Sequence, residues 1–122
     1  MTHLILDGLA GHEALLRDKG LLSAYVKKLV RWLNMKIMAG PLVVEDTRIG
    51  EMAGITAVAV ISESHIAIHT WPRREEWNVN VDVFSCRPFD CDAILRLLQQ
   101  DWQMVKESHV VLERPLGDGV ER

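Results

Sequence analysis

Several features that mark special classes of protein are scarce or missing in this sequence of 122 residues. It contains only two cysteines, and no apolar run approaches the roughly 18 to 20 residues that a membrane-spanning helix requires. Its first residues lack the basic start and the small-residue cleavage site of a secretory signal. The formal net charge is −3, so electrostatics give no reason to expect nucleic acid as a partner. We therefore expect a cytoplasmic protein without membrane or nucleic-acid partners.

What remains is the composition of an ordinary globular protein. Hydrophobic residues make up 48% of the chain and charged residues 25%, a balance that excludes disordered and fibrous proteins. A chain of this length can bury one core but not two, so we expect a single domain that spans residues 1–122. Cys86 and Cys91 are expected to be free thiols, because a reducing cytoplasm disfavours disulfides.

Two segments have the apolar spacing of amphipathic helices. Residues 21–33 place apolar side chains three and four positions apart, with lysine and arginine side chains outside the stripe. Gly40 and Pro41 follow as predicted helix breakers. Asp90 is the predicted cap of a second helix, whose apolar stripe runs over residues 94–102.

Six further segments have the composition or the alternation of β-strands. They are residues 4–6, 41–46, 55–61, 65–71, 79–86 and 109–114. Gly8 and Gly11 are predicted to close the first strand, and residues 115–122 to form a frayed tail. Several neighbouring strands are joined too briefly for parallel crossovers. The sequence therefore predicts an α+β fold, a two-layer sandwich of an antiparallel sheet with two helices on one face.

The stretch ISESHIAIHTWP, residues 61–72, places polar side chains inside an apolar strand. His65 and His69 share a face, but four residues at about 3.3 Å each separate them by roughly 13 Å, so we expect no shared metal ion. Ser64 lacks the G-x-S-x-G elbow of a serine hydrolase. Two interpretations stay open from the residues alone: an ordinary polar strand face, or a serine that attacks the carbonyl of the residue before it.

A family resemblance favours the second interpretation. SESHIAIHTWP followed by VDVFSC resembles the signature of the S-adenosylmethionine decarboxylase proenzymes in their short prokaryotic form. HLILDG, GIT and HVVLER fall in matching order, so the resemblance covers nearly the whole chain. It implies a zymogen that cleaves itself between Glu63 and Ser64 into a β chain of residues 1–63 and an α chain of residues 64–122. The α chain would begin with a pyruvoyl group made from Ser64, the one cofactor implied.

The resemblance also implies roles for individual side chains in a decarboxylase of polyamine biosynthesis. The pyruvoyl group from Ser64 would form a Schiff base with the substrate amine. Cys86 matches the family's proton donor to the substrate carbon, and His69 matches the histidine that assists self-processing through proton transfer. Thr56 stands where the family usually has serine and is a further candidate for processing.

Spacing and resemblance together predict a homodimer with shared active sites. If SES is the turn of a hairpin, Thr56 lies beside His69 or Thr70, and both are about 15 Å or more from Ser64 along extended strands. We therefore expect Ser64 and Cys86 of one subunit to meet Thr56 and His69 of the other.

The sequence departs from the family pattern at positions expected to bind adenosine. Gly50 and Met52 stand where the family has an aromatic residue and a proline, and Arg73 stands where it has a glutamate. These departures predict a basic amino acid, L-ornithine or L-arginine, as substrate, with S-adenosylmethionine as the alternative. An alternative of another class is an unprocessed homologue that serves as a binding or regulatory subunit.

A cationic substrate side chain would need carboxylates at the site, because burying an unpaired charge is costly. The candidate substrate-binding residues are Glu51, Glu75 and Glu76, together with Trp71 at the end of the motif. Glu75 or Glu76 is also a candidate to replace the family's glutamate from a shifted loop.

Overall fold

The computed structural model describes residues 1–115, which form one six-stranded sheet and three helices. The strands are β1 (Thr2–Ala10), β2 (Ile37–Asp46), β3 (Gly54–Ile61), β4 (Ser64–Thr70), β5 (Val79–Ser85) and β6 (Met104–Glu113), and the helices are α1 (Glu13–Arg17), α2 (Lys19–Trp32) and α3 (Cys91–Asp101). The strand order is β2-β3-β4-β5-β1-β6 and every pair is antiparallel. The predicted α+β sandwich is confirmed, and most of the predicted tail lies outside the described residues.

The helices number three rather than two, because a short helix precedes the first predicted one. Its N-terminus is capped by His12, whose Nδ1 accepts from the backbone N–H of Leu15 at 3.2 Å. Asp18 ends α1 and caps α2, since its Oδ1 accepts from the N–H of Leu21 at 3.0 Å. A five-residue helix is too short to display a periodic stripe, which is why the sequence pattern missed it. No helix of the described chain is long and apolar enough to cross a membrane.

Three glycine or proline positions predicted to end elements lie inside strands instead. β1 continues through Gly8, which packs beneath a side chain of β6: a Cβ there would come within 2.8 Å of the Met104 Sδ. β2 contains Gly40 and Pro41 at a shift in its register with β3. A proline is tolerated there because β2 is an edge strand, where a missing N–H breaks no ladder on the outer side. Helix α2 has already ended at Trp32.

The hydrophobic core lies between the helices and one face of the sheet. Alternate residues of the central strands are buried there, as the strict alternation of residues 79–86 predicts; Val79, Val81 and Val83 are fully buried. Trp102 is also fully buried, with its ring 5.5 Å from that of Tyr25 in an edge-on arrangement. Ile5 faces the other side of β1, because its neighbours Leu4 and Leu6 take the buried positions.

The other side of the sheet, here called the open face, is covered by no helix of the described chain. Strand pairing aligns its side chains in three rows that cross the sheet. The polar row is Val44, Thr56, His69, Asn80, Asp7 and Ser108; the central row is Leu42, Val58, Ala67, Asp82, Ile5 and Val110; the aromatic row is Val60, His65, Phe84, His3 and Leu112. The predicted motif therefore contributes one residue of β4 to every row.

Candidate active site

The predicted cleavage site lies at a tight turn between two strands. Ser62 and Glu63 form the turn, and the pairing of Ile61 with Ser64 closes it, which confirms that SES is the turn of a hairpin. The backbone N–H of Ser62 donates to the Lys36 carbonyl at 2.8 Å, and the Ser62 Oγ accepts from the Lys36 N–H at 3.2 Å. These two bonds tie the turn to the segment that leads into β2.

Glu63, Ser64 and Cys86, here called the serine cluster, meet at this turn. The carbonyl oxygen of Glu63 accepts a hydrogen bond from the backbone N–H of Cys86 at 2.8 Å. The Cys86 Sγ lies 3.7 Å from the Glu63 Oε2, and Ser64 is paired with Ser85, the residue before Cys86. A donor aimed at a carbonyl oxygen stabilises the negative charge that develops when a nucleophile adds to that carbonyl. The peptide bond between Glu63 and Ser64 is therefore polarised for attack.

The two cysteines are free thiols in the structure, as predicted, but they occupy different environments. Cys86 is exposed at the end of β5. Cys91 is the first residue of α3, and burial raises the pKa of its thiol, with the nearby carboxylates of Glu113, Asp92 and Asp90 acting in the same direction. Cys86 is thus the thiol that is open to solvent, whereas Cys91 is partly buried and its pKa is raised.

A second group of side chains lies at the other end of β4. This group, here called the histidine cluster, consists of Thr56, His69, Trp71, Asn80 and Asp7. Thr56 is the cross-strand neighbour of His69, and its Oγ1 lies 2.9 Å from the His69 Nδ1. Of the two neighbours predicted for Thr56, His69 and Thr70, the structure pairs it with His69. The ring of Trp71 stacks on the imidazole at an interplanar angle of 18° and a centroid distance of 6.3 Å.

Two members of the histidine cluster were not singled out from the sequence. The Trp71 Nε1 donates to the Asn80 Oδ1 at 2.6 Å, and the Asn80 Nδ2 donates to the Asp7 Oδ1 at 2.6 Å. Alternation in residues 79–86 places Asn80 on the open face, which was the one available signal. The contact with Asp7 depends on β1 lying between β5 and β6, which no local pattern reveals.

The two clusters do not meet within one chain. Ser64 and His69 stand five residues apart on the same extended strand, which corresponds to roughly 16 Å at about 3.3 Å per residue. The structure brings Glu63, Ser64 and Cys86 together, and separately brings Thr56, His69 and Trp71 together.

The three glutamates predicted to bind substrate lie in loops at the histidine end of the sheet. Glu75 and Glu76 are exposed in the loop between β4 and β5, and Glu51 is exposed in the loop between β2 and β3. Glu76 already has a partner, because its Oε1 lies 3.4 Å from the Lys106 Nζ. Only Trp71 among the four predicted binding residues contacts a member of either cluster.

The positions that depart from the family pattern lie near the same end. Gly50 has a φ of +99°, a conformation that side chains other than glycine rarely adopt, and no atom lies within 4 Å of the position that its Cβ would occupy. An aromatic residue at position 50 would therefore be strained in this loop. Arg73 is exposed and lines a cleft of about 240 Å³ together with Arg17 and Arg48, away from the serine cluster.

Comparisons with known proteins agree with the motif. The family model described as S-adenosylmethionine decarboxylase matches residues 2–115. An S-adenosylmethionine decarboxylase proenzyme of Clostridium botulinum is 32% identical over 100 residues, which cover 81% of this chain and 80% of that protein. A proenzyme of the same description from Saccharolobus islandicus is 42% identical over 76 residues, covering 62% of this chain and 56% of that protein.

Two further proteins show how much of the chain is similar in sequence and in fold. A proenzyme of the same description from Pyrobaculum aerophilum is 39% identical over 71 residues, or 58% of this chain, and the chain spans about half of that relative's length, 52%. The crystal structure of the adenosylmethionine decarboxylase from Aquifex aeolicus superposes with a TM-score of 0.78 at 18% identity, covering 99% of this chain and 95% of that one. At this identity the superposition shows a shared fold.

Proposed function

Because the chain belongs to the S-adenosylmethionine decarboxylase family, we propose that it is a self-processing, pyruvoyl-dependent decarboxylase that acts on S-adenosylmethionine. The observation that carries this proposal is the hydrogen bond from the Cys86 N–H to the Glu63 carbonyl, next to Ser64. The basic amino acid that the sequence led us to expect has no support, since the matched family and the relatives above are all named for S-adenosylmethionine. Polyamine biosynthesis is the corresponding metabolic role.

The proposed cleavage begins at the polarised peptide. The Ser64 Oγ adds to the Glu63 carbonyl carbon, the C–N bond breaks, and the hydroxyl proton ends on the Ser64 nitrogen, which leaves an ester. Loss of the Ser64 α-proton then expels the Glu63 carboxylate and leaves a dehydroalanine. Addition of one water and release of ammonia give the pyruvoyl group. In the first step the Cys86 N–H faces the oxygen that becomes negative.

The residues present fit this group, because Ser64, its precursor, is the first residue of a strand that cleavage would release as a new N-terminus. Once formed, the pyruvoyl group supplies a ketone that takes up electrons as carbon dioxide leaves the substrate. The exposed thiol of Cys86 lies beside the same turn, where it can deliver a proton to the substrate carbon. His69 and Thr56 are proposed to move protons during cleavage.

The distance between the clusters supports a homodimer with shared sites. Two chains could stack their open faces about a two-fold axis that lies between the sheets and runs parallel to the central row. In that arrangement β4 would lie over the partner's β4. Each polar row would then face the partner's aromatic row. His69 would then approach the partner's end of β4 that carries Ser64, at the roughly 10 Å spacing of packed sheets. Apolar residues on the open face fit such an interface: Leu42, Val44, Val58, Val60, Val110 and Leu112 are all exposed in the single chain.

We also propose that the enzyme works in the cytoplasm, in keeping with its free thiols.

Mass spectrometry of the purified chain tests self-processing. We expect fragments of residues 1–63 and 64–122, the second blocked to N-terminal sequencing, and an intact Ser64→Ala chain. A wild-type chain that stays intact at 13.8 kDa during prolonged incubation would instead support an unprocessed homologue.

Release of carbon dioxide tests the substrate. Processed enzyme is incubated separately with S-adenosylmethionine, L-ornithine and L-arginine, with Ser64→Ala protein as the control. We expect turnover of S-adenosylmethionine, and turnover confined to ornithine or arginine would overturn that choice while leaving the chemistry intact.

A further inference from the structure

A chain of hydrogen bonds runs from Asp7 on β1 through Asn80 on β5 to Trp71, the residue whose ring stacks on His69. It starts at the Asp7 carboxylate, which accepts from the Asn80 Nδ2, and continues through the Asn80 Oδ1, which accepts from the Trp71 Nε1, each at 2.6 Å. It ends at the Trp71 ring, which stacks on His69. All three of Asp7, Asn80 and Trp71 are partly shielded from solvent.

The chemistry of the two partners determines which way the Asn80 amide points. An ionised carboxylate only accepts hydrogen bonds and an indole N–H only donates them, so the Nδ2 must face Asp7 and the Oδ1 must face Trp71. An aspartate at position 80 would keep the acceptor for Trp71 but would place a second carboxylate against Asp7. The amide is therefore required to satisfy both neighbours at once.

The imidazole of His69 is held from two sides. Thr56 engages its Nδ1 at 2.9 Å, and the anchored Trp71 ring lies nearly parallel to its plane. The Nδ1 being occupied, the Nε2 is the atom through which the ring can exchange a proton with another group. The direction in which the His69 Nε2 points therefore depends on both Thr56 and Trp71.

We propose that Asn80 is a positioning residue for His69, and that Asp7 orients Asn80. The inference rests on the proposed function in one respect, namely that His69 moves protons during self-cleavage. Asn80 acts through Trp71 and touches no reacting atom. Three titratable groups face Asp7 and Asn80 from neighbouring positions on the open face: His69 on β4, Asp82 on β5 and Lys106 on β6.

Exchanging the two side chains tests the orientation. In Asn80→Asp, two carboxylates meet and the chain of hydrogen bonds breaks, so self-cleavage at pH 8 should slow about tenfold or more. In the double variant Asp7→Asn with Asn80→Asp, the new carboxylate accepts from both neighbours, and cleavage should return to within about threefold of wild type. Asp7→Asn alone keeps an acceptor for the Asn80 amide and should change the rate less than threefold.

The pH profile adds a second signature. Two adjacent carboxylates share a proton as the pH falls, so the rate of Asn80→Asp relative to wild type should rise below about pH 6. The matched control is Asn34→Asp, the same chemical change at an exposed turn residue, which should show neither the loss nor the recovery. An Asn80→Asp chain that cleaves at the wild-type rate, or a double variant that stays slow, would overturn the proposal.

A structural measurement separates positioning from a general loss of stability. In uncleavable Ser64→Ala chains, we expect the stacked Trp71 ring to shift the NMR signals of the His69 ring protons. We expect Asn80→Asp to reduce that shift and the double variant to restore it, while Asn34→Asp leaves it unchanged. An unchanged shift together with slow cleavage would show that Asn80 does not act through His69. If the wild-type chain never cleaves, the proposed function fails, whereas this NMR comparison still decides the positioning.

Discussion

Cys86 contributes two different groups to the proposed cleavage site. Its backbone N–H donates to the Glu63 carbonyl, and its thiol lies 3.7 Å from the Glu63 carboxylate. The backbone donor survives any substitution except proline, whereas every substitution of Cys86 removes the thiol. The roles proposed for Cys86 in self-cleavage and in decarboxylation are therefore separable by mutation.

Cys86→Ala is expected to cleave itself within a few-fold of the wild-type rate, because the N–H that faces the Glu63 carbonyl remains. Decarboxylation by the processed variant should fall by about 10²-fold or more, since a positioned proton donor contributes on that scale. Both rates are measured on one preparation, with Cys91→Ala as the control expected to change neither. Loss of cleavage in Cys86→Ala would show that the thiol, and not the backbone, serves the first step.

The two thiols should differ in their reaction with iodoacetamide. The start of a helix ordinarily favours a thiolate, yet burial and three carboxylates raise the pKa of Cys91. A raised pKa leaves less thiolate at any pH below it, so Cys91 should be alkylated later than Cys86 at pH 8, and the difference should shrink as the pH rises. Mass spectrometry of peptides from Ser64→Ala protein measures both rates, and faster labelling of Cys91 would contradict the expectation.

The β3–β4 hairpin is the element that places the candidate site, and its register depends on a glycine. A Cβ on Gly54 would collide with the carbonyl oxygen of Thr70, on the strand to which β3 is paired. That close approach explains why glycine opens β3. It also keeps Thr56, two residues further on, opposite His69.

Gly54→Ala is expected to lower the free energy of unfolding by about 1 to 3 kcal/mol, the usual cost of an overpacked position. It should also slow self-cleavage, because the strands must separate where Thr56 meets His69. Urea unfolding of Ser64→Ala chains measures the first effect. Gly20→Ala in α2 is the matched control, and it should cost less stability than Gly54→Ala, because its Cβ would meet only the Asp18 side chain, at 3.3 Å, and alanine favours helix. Equal stability of the two variants would contradict the predicted collision.

At the scale of the whole molecule, the main feature is the distance between the serine cluster and the histidine cluster. One chain presents both, at opposite ends of β4. A symmetric pair of chains therefore offers two equivalent composite sites, each with the serine cluster of one subunit and the histidine cluster of the other.

A mixed dimer tests this arrangement directly. When a Ser64→Ala chain pairs with a His69→Ala chain, one composite site has both defects and the other has none. We expect the His69→Ala chain to be cleaved in such dimers, whereas each variant alone stays intact. Co-expression with distinct tags followed by mass spectrometry identifies the cleaved chain. Cleavage in neither chain of a verified mixed dimer would show that each subunit uses its own His69.

Much of the fold and part of the site were predictable from the sequence. The stripe of residues 21–33, the alternation of residues 79–86 and the turn at Glu63 all depend on neighbours along the chain, so local patterns reveal them. The short turn restricted the cross-strand neighbour of Thr56 to His69 or Thr70, because turn length constrains the register of a hairpin, and the structure decided for His69. The short helix α1 and the strand passing through Gly8 were missed, because a cap and a contact from β6 decide them.

The sequence by itself determined the class of the fold, the position of the turn, and the motif that identifies the family. Only the tertiary structure decided that β1 lies between β5 and β6, and hence that Asp7 meets Asn80, which stands 73 residues away along the chain. The physical reason is that periodicity is set by each segment's own side chains, whereas strand order results from the competition of all segments for one core. The support of His69 by Asn80 and Trp71 is a consequence of that order.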